Sequence, residues 1–259
     1  MLIAVKPFRA GYQGGFSLIE LAIVLMIIGV LVGSFVGTLG SRIERNRYVD
    51  NRAELDAIKT ALYGHAVSQA PPHLPCPDCR TASCEAVTAG NFANDGLEDR
   101  DGAACDTNTD GTLGNLPWQT LGVGEKDPWG NRYSYWVSDT VADNTAPGFQ
   151  LTSVINSATI NTRIGEAIGT LTDTAAAVVF THGSNGYGAI SVDAVMKAAA
   201  ASDDETENAN NDNTFVSRSI SEPGAQTSGG DDFEFDDVLI WLSEFELKGK
   251  MVQAGVLPP

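Results

Sequence analysis

Residues 15–40 read Gly15-Phe16-Ser17-Leu18-Ile19-Glu20-Leu21, followed by AIVLMIIGVLVGSFVGTLG to Gly40. The apolar run from Phe16 to Leu39 holds 24 residues and one charge, Glu20. At about 1.5 Å per residue a helix of this length covers roughly 36 Å, enough for the hydrocarbon core of a bilayer. A secretory signal would have a shorter apolar stretch and a small-residue cleavage site after it. Lys6 and Arg9 supply a basic leader, but the run is too long for that class. A carboxylate near the start of such a segment is costly unless something pairs with it.

Outward from this stretch the helical pattern continues. Between Ser41 and Gln69 there is no proline, and Gly64 is the sole glycine. Ile43, Leu55, Ile58, Leu62 and Ala66 form a partial apolar stripe at helical spacing. Glu44, Arg45, Asp50, Arg52, Glu54 and Lys59 fill the remaining faces, as on a solvated surface. Pro71-Pro72 ends the pattern. One helix over 16–70 is therefore expected, transmembrane in 16–39 and packed on a globular region in its second half.

The segment Gly15-Phe16-Ser17-Leu18-Ile19-Glu20-Leu21 resembles the prepilin peptidase site of type IV pilins and type II secretion pseudopilins. The resemblance implies cleavage between Gly15 and Phe16, N-methylation of the new Phe16 terminus, and a leader peptide over residues 1–15. Glu20 then becomes the fifth residue of the mature chain. A buried carboxylate needs a nearby cation, and the freed amine of a neighbouring subunit's Phe16 would supply one. Such a pair would set the axial register between subunits, as a buried polar group does in a coiled coil. The alternative for Glu20 is a snorkelling residue at the membrane edge. Loop charge leaves orientation open, because Lys6 and Arg9 precede the span while Arg42, Arg45 and Arg47 follow it. The leader motif places residues 1–15 in the cytoplasm.

Residues 71–120 are rich in Pro, Cys, Asp, Asn and Gly, and no regular element is predicted there. Arg132–Val137 and Phe149–Val154 alternate as strands do. Ala175–Phe180 is a continuous apolar run, expected as a central strand. Ser202–Asn213 reads as a solvated acidic loop, and Asp237–Leu247 as a short helical segment. Lys126-Asp127-Pro128-Trp129-Gly130-Asn131-Arg132-Tyr133 resembles the D-x-W-G-N-x-Y segment of major pseudopilins. Phe180–Gly186 resembles their later S-x-G-x-D-G turn, and Asp236–Trp241 their closing acidic-apolar-Trp segment. The Asp127 segment reads physically as a tight turn into a strand, with Trp129 as a core anchor. Extra length at 71–120 and 188–230 favours a minor or specialised subunit.

Cys76, Cys79, Cys84 and Cys105 all follow the apolar run. In an oxidising compartment an even count reads as two disulfides, with three pairings open. Zinc on His73, Cys76 and Cys79 with Cys84 or Cys105 is the less favoured alternative. Asp106-Thr107-Asn108-Thr109-Asp110-Gly111 is the first half of an EF-hand-like loop, making Asp106, Asn108 and Asp110 candidate calcium ligands. Pro117 stands where such a loop has its bidentate Glu, so Asp95, Glu98, Asp99 or Asp101 would complete the set. By resemblance to major pseudopilins, which bind calcium in a C-terminal loop, Asp231, Asp232, Asp236 and Asp237 are a second candidate set.

The chain has 259 residues, 33 acidic and 16 basic, for a net charge of −17. That balance argues against nucleic acid as a direct partner, since binding phosphates needs a basic face. Three histidines and four cysteines leave little for a multi-metal catalytic centre. His182-Gly183-Ser184 is no nucleophile elbow. No phosphate-binding glycine loop is present, so no enzymatic activity is expected and no cofactor beyond calcium.

The expected fold is α+β: a long N-terminal helix on an antiparallel sheet, pilin-like, with loop insertions, and a globular domain over 71–259. The expected role is a structural subunit, a minor pilin or pseudopilin of a type IV pilus-like or type II secretion filament. Its partners would be prepilin peptidase, other pilin-type subunits through the N-terminal helix, and the inner membrane. It would cross that membrane once, with its globular domain in the periplasm or outside the cell within a filament. The alternative is a membrane-anchored, calcium-dependent binding domain that never polymerises.

Overall fold

The computed structural model describes Gly15 and residues 17–81, 92–102, 104–105, 113–164, 167–200, 202–221 and 234–257. The chain divides into two units, Met1–Asn46 and Arg47–Pro259.

Helix α1 runs Leu18–Ser68, 51 residues, matching the predicted span within two residues at each end. Its N-terminus closes by a reciprocal cap. The Glu20 N–H donates to Ser17 Oγ at 3.2 Å, and the Ser17 N–H donates to Glu20 Oε2 at 3.0 Å. This Ser-x-x-Glu box satisfies two amide groups that the helix leaves open. In the first unit the apolar side chains point outward: Leu18 is 89 % exposed, Met26 72 % and Val30 66 %. Ile43, read from sequence as part of the packed stripe, is also exposed. Among the described residues no helix is long and apolar enough to cross a membrane.

In the second unit the helical stripe does pack. Leu55, Ile58, Leu62 and Ala66 are buried against one face of a sheet. That sheet comprises β3 (Leu113–Asn115), β4 (Ser134–Val137), β5 (Ala158–Ile164), β6 (Ala167–Thr181), β7 (Thr214–Val216) and β8 (Val238–Ser243). Before them a short antiparallel pair joins β1 (Arg100–Asp101) to β2 (Ala104–Cys105). Strand β6 is the spine: Val179 lies between Tyr135 of β4 and Ile240 of β8, while the first half of β6 pairs with β5. The expectation of an antiparallel sheet needs correction, because β7 pairs with β5 in parallel.

The strand alternation splits the core in two. Tyr135, Val137, Ala177, Val179 and Leu242 face α1 and helix α5 (Glu244–Gln253). Trp136, Val178, Phe180 and Leu239 face the other way, onto Ile160, Phe215 and Phe235.

Four other local readings change. Phe149–Val154 is a turn, not a strand, with the Ser153 N–H bonded to the Gln150 carbonyl at 3.0 Å. Asp237–Leu247 is not one helix: β8 pairs along β6 and α5 starts only at Glu244. The acidic loop at 202–213 contains helix α4 (Asp203–Ala209), whose Asp204, Glu205 and Asn208 are buried. Residues 71–120 hold β1, β2, β3 and the one-turn helix α2 (Trp118–Leu121). A further one-turn helix, α3 (Asp139–Ala142), follows β4.

Candidate functional site

The Asp127 segment is a turn into a strand, as its composition indicates. Asp127 Oδ1 accepts the N–H groups of Trp129 at 2.9 Å and Asn131 at 2.8 Å, and Oδ2 accepts the Thr181 hydroxyl. The anchor is Asp127, 2 % exposed, rather than Trp129. Trp129 is half-buried and meets Tyr48 edge-to-face at 4.8 Å. The segment therefore joins α1 to the sheet and is a fold element.

The turn after β6 does build a site. Gly183 adopts φ +57°, and a Cβ there would fall 2.4 Å from the Asp236 carboxyl carbon, so the turn needs glycine on both counts. This close approach brings Ser184 and Asn185 onto Asp236. The Ser184 hydroxyl and the Asn185 N–H each donate to Asp236 Oδ2 at 2.8 Å. Helix α4 contributes Glu205, whose Oε1 accepts the Asp236 N–H at 3.0 Å and the Asn185 amide at 3.1 Å. Asp237 Oδ2 accepts the Asn208 amide at 2.8 Å.

One ligand oxygen from each of Glu205, Asp236 and Asp237 lies within 4.8 Å of the other two, and all three residues are buried. Asp236 Oδ1 and Asp237 Oδ1 are sealed from solvent and accept no hydrogen bond. Burial, reinforced by the neighbouring carboxylates, pushes Glu205 up to about 7. Asp236 rises for the same first reason, against hydrogen bonds from Ser184 and Asn185. Asp237 rises well above the usual carboxylate range, again chiefly through burial. Three clustered carboxylates with two open buried oxygens form an all-oxygen donor set, which suits a hard divalent cation.

The structure thus gathers Asp236 and Asp237, and adds Glu205, which sequence reading placed in a solvated loop. Asp231, Asp232, Asp106, Asn108 and Asp110 lie outside the described residues. Of the acids offered to complete the Asp106 loop, Asp95 Oδ1 accepts the Leu97 N–H at 2.8 Å and Asp99 Oδ2 the Cys79 N–H at 2.7 Å. Glu98 Oε2 accepts from the Cys76 N–H and from Arg100.

Cys76 and Cys105 form a disulfide, with Cα atoms 5.2 Å apart. Cys79 is also disulfide-bonded, and Cys84 lies outside the described residues. These bridges remove the thiolates that a zinc site on Cys76, Cys79 and Cys105 would need.

Sequence reading found no hydrolase constellation, yet three suitable residues do align. His182 Nε2 lies 2.9 Å from Ser134 Oγ, and its Nδ1 lies 3.9 Å from Asp237 Oδ1. The second spacing is too long for a hydrogen bond. Ser134, His182 and Asp237 are at most 3 % exposed. Burial and the nearby Arg80 guanidinium hold His182 down to about 3, neutral at physiological pH.

At the other end of the chain, Gly15 is exposed and Glu20 stands in the first turn of α1 as half of its cap. Residues 11–36 match the family model described as the prokaryotic N-terminal methylation motif. The methylation motif spans the apolar start of α1 and contains Gly15, Phe16 and Glu20. It is consistent with a type IV pilin-like chain. It implies processing by prepilin peptidase, assembly with pilin-type subunits and association with the cell envelope. Phe16 and the leader residues 1–14 lie outside the described residues. No curated protein and no solved structure matches the chain.

Proposed function

We propose that this chain is a minor pilin or pseudopilin, a non-catalytic subunit of a type IV pilus-like or type II secretion filament. Prepilin peptidase would cut between Gly15 and Phe16, and Phe16 would be N-methylated. Residues 16–39 would cross the inner membrane once, with the globular unit in the periplasm or outside the cell within the filament. The observation that carries this reading is the methylation motif over residues 11–36. The outward apolar face of α1 supports it: side chains such as Leu18, Met26 and Val30 need lipid before assembly and neighbouring helices after it.

Glu20 would have two tasks. Within one chain it caps α1. Between chains its carboxylate would meet the amine of a neighbouring Phe16. Two substitutions separate these tasks. Glu20→Gln keeps a capping side chain and removes the charge, while Glu20→Ala removes both. Both variants should be cleaved and methylated, as read by intact mass from native membranes, and neither should assemble into filaments. Filaments from Glu20→Gln at the wild-type level would refute the charge-pairing role. A wild-type chain that retains residues 1–15 would refute the reading as a whole.

The carboxylate cluster of Glu205, Asp236 and Asp237 favours a second reading, a membrane-anchored, calcium-dependent binding domain that does not polymerise. In either case calcium is the cation we assign to this cluster, because its donors are all oxygen. The readings part on one result: a receptor would function with Glu20→Ala, and a filament subunit would not.

A further inference from the structure

The chain has three histidines, and two of them meet at a place unrelated to the carboxylate cluster. His65 lies in the last turn of α1. Pro71-Pro72 then turns the chain, and the Leu74 N–H bonds to the Val141 carbonyl at 2.8 Å. This brings His73 back against His65, with ring centroids 5.8 Å apart, edge to face. Glu98 arrives from the segment just before β1, and one ligand atom from each of His65, His73 and Glu98 lies within 4.8 Å of the others.

His73 and Glu98 are each held by an outer partner that leaves a metal-binding atom open. His73 Nδ1 lies 2.8 Å from the Pro71 carbonyl oxygen. An oxygen there takes an N–H, so the proton is on Nδ1 and the lone pair on Nε2 is available. Glu98 accepts from Arg100 Nε at 2.9 Å and from the Cys76 N–H at 3.1 Å, both on Oε2, which leaves Oε1 open. His65 Nε2 is buried and has no hydrogen-bond partner, an arrangement that is unfavourable unless something is bound.

We propose that His65, His73 and Glu98 form a zinc site. Two imidazoles and one carboxylate with a fourth position open is a recurrent Zn²⁺ donor set. Nitrogen donors separate it from the all-oxygen cluster at Glu205, which suits calcium. Ligand atoms in a tetrahedral site with bonds near 2 Å lie about 3.3 Å apart, so binding needs these three to close by up to about 1.5 Å, within reach of side-chain adjustment. His65 and Glu98 are half-buried rather than sealed, so an ion and a water can enter. The ion would tie the end of α1 to the segment stapled by Cys76–Cys105, through the Cys76 N–H bonded to Glu98.

The test uses the full chain in detergent, stripped with chelator and dialysed against Zn²⁺ at near-equimolar concentration with calcium in excess. One zinc per chain is expected. His65→Ala and Glu98→Gln should each weaken binding by at least about tenfold, while Asp236→Asn binds zinc like the wild type. Co²⁺ gives a readout on the unmutated protein, where tetrahedral coordination produces visible d–d absorption that zinc then abolishes. A wild-type chain that takes up no zinc and shows no such bands overturns the proposal. So does a His65→Ala variant that binds as tightly as wild type. Because assembly plays no part in this readout, its failure is distinct from failure of the filament reading.

Discussion

Removing the charge of Glu205 should abolish one part of the pH dependence of stability. In the folded chain this carboxyl titrates at about 7, against 4.5 for an unperturbed glutamate. That difference makes the ionised form about 3 kcal/mol less favourable in the fold than in the unfolded chain. Below about pH 4.5 the group is protonated in both states and costs nothing. Between 4.5 and 7 the fold holds a proton that the unfolded chain has released, so stability falls as pH rises. Above about 7 the full cost is present. For a unit of this size it corresponds to a melting temperature lower by roughly 6–12 °C. Glu205→Gln keeps an acceptor for the Asp236 N–H and cannot ionise.

The assay is thermal unfolding of both proteins in chelator from pH 4.5 to 8. Wild type should lose about 3 kcal/mol relative to the variant over that range. Asp78, pushed up to about 8, adds a slope of the same sign, and His182, held down to about 3, one of the opposite sign below its unfolded value. Both residues are common to the two proteins, so their contributions cancel in the difference. Calcium favours the ionised carboxylates, and at about 100 times its dissociation constant should restore about 2.7 kcal/mol to wild type at pH 8. The variant should gain far less. Parallel wild-type and variant curves in chelator would refute the reasoning.

Other substitutions probe the scaffold. The double change Cys76→Ser and Cys105→Ser opens a bridge of sequence separation 29, and should cost about 3–4 kcal/mol in thermal unfolding under non-reducing conditions. Gly183→Ala places a methyl 2.4 Å from the Asp236 carboxyl carbon at φ +57°. It should destabilise by more than about 1 kcal/mol and weaken calcium uptake in calorimetric titration. Leu62→Ala empties a fully buried position under α1 and should lower the denaturant midpoint by about 2–5 kcal/mol worth of stability.

Local order along the chain was enough for some of this. The glycine, the register of Glu20 and the apolar run identified the processing motif, because a peptidase site is read as contiguous sequence. The helical period from Leu55 to Ala66 set the packed face of α1, and the unbroken apolar run 175–180 set the central strand, because a segment buried on both faces needs no alternation. Asp127 declared its turn through short-range bonds to Trp129 and Asn131. Other features depended on residues distant in sequence. Asp237–Leu247 carries helical spacing, but pairing along β6 gives Val238–Ser243 more than an isolated turn of helix could. The acidic segment at 202–213 looked solvated because its buried face is made by Asn185, 20 residues before Glu205, and by Asp236, 31 residues after it. Nothing near His65 in sequence hints at Glu98. Sequence alone therefore determined the N-terminal methylation motif and the helix that bears it. Tertiary structure decided which acids and histidines converge, because clusters of polar groups are made by chain crossings that leave no periodic trace.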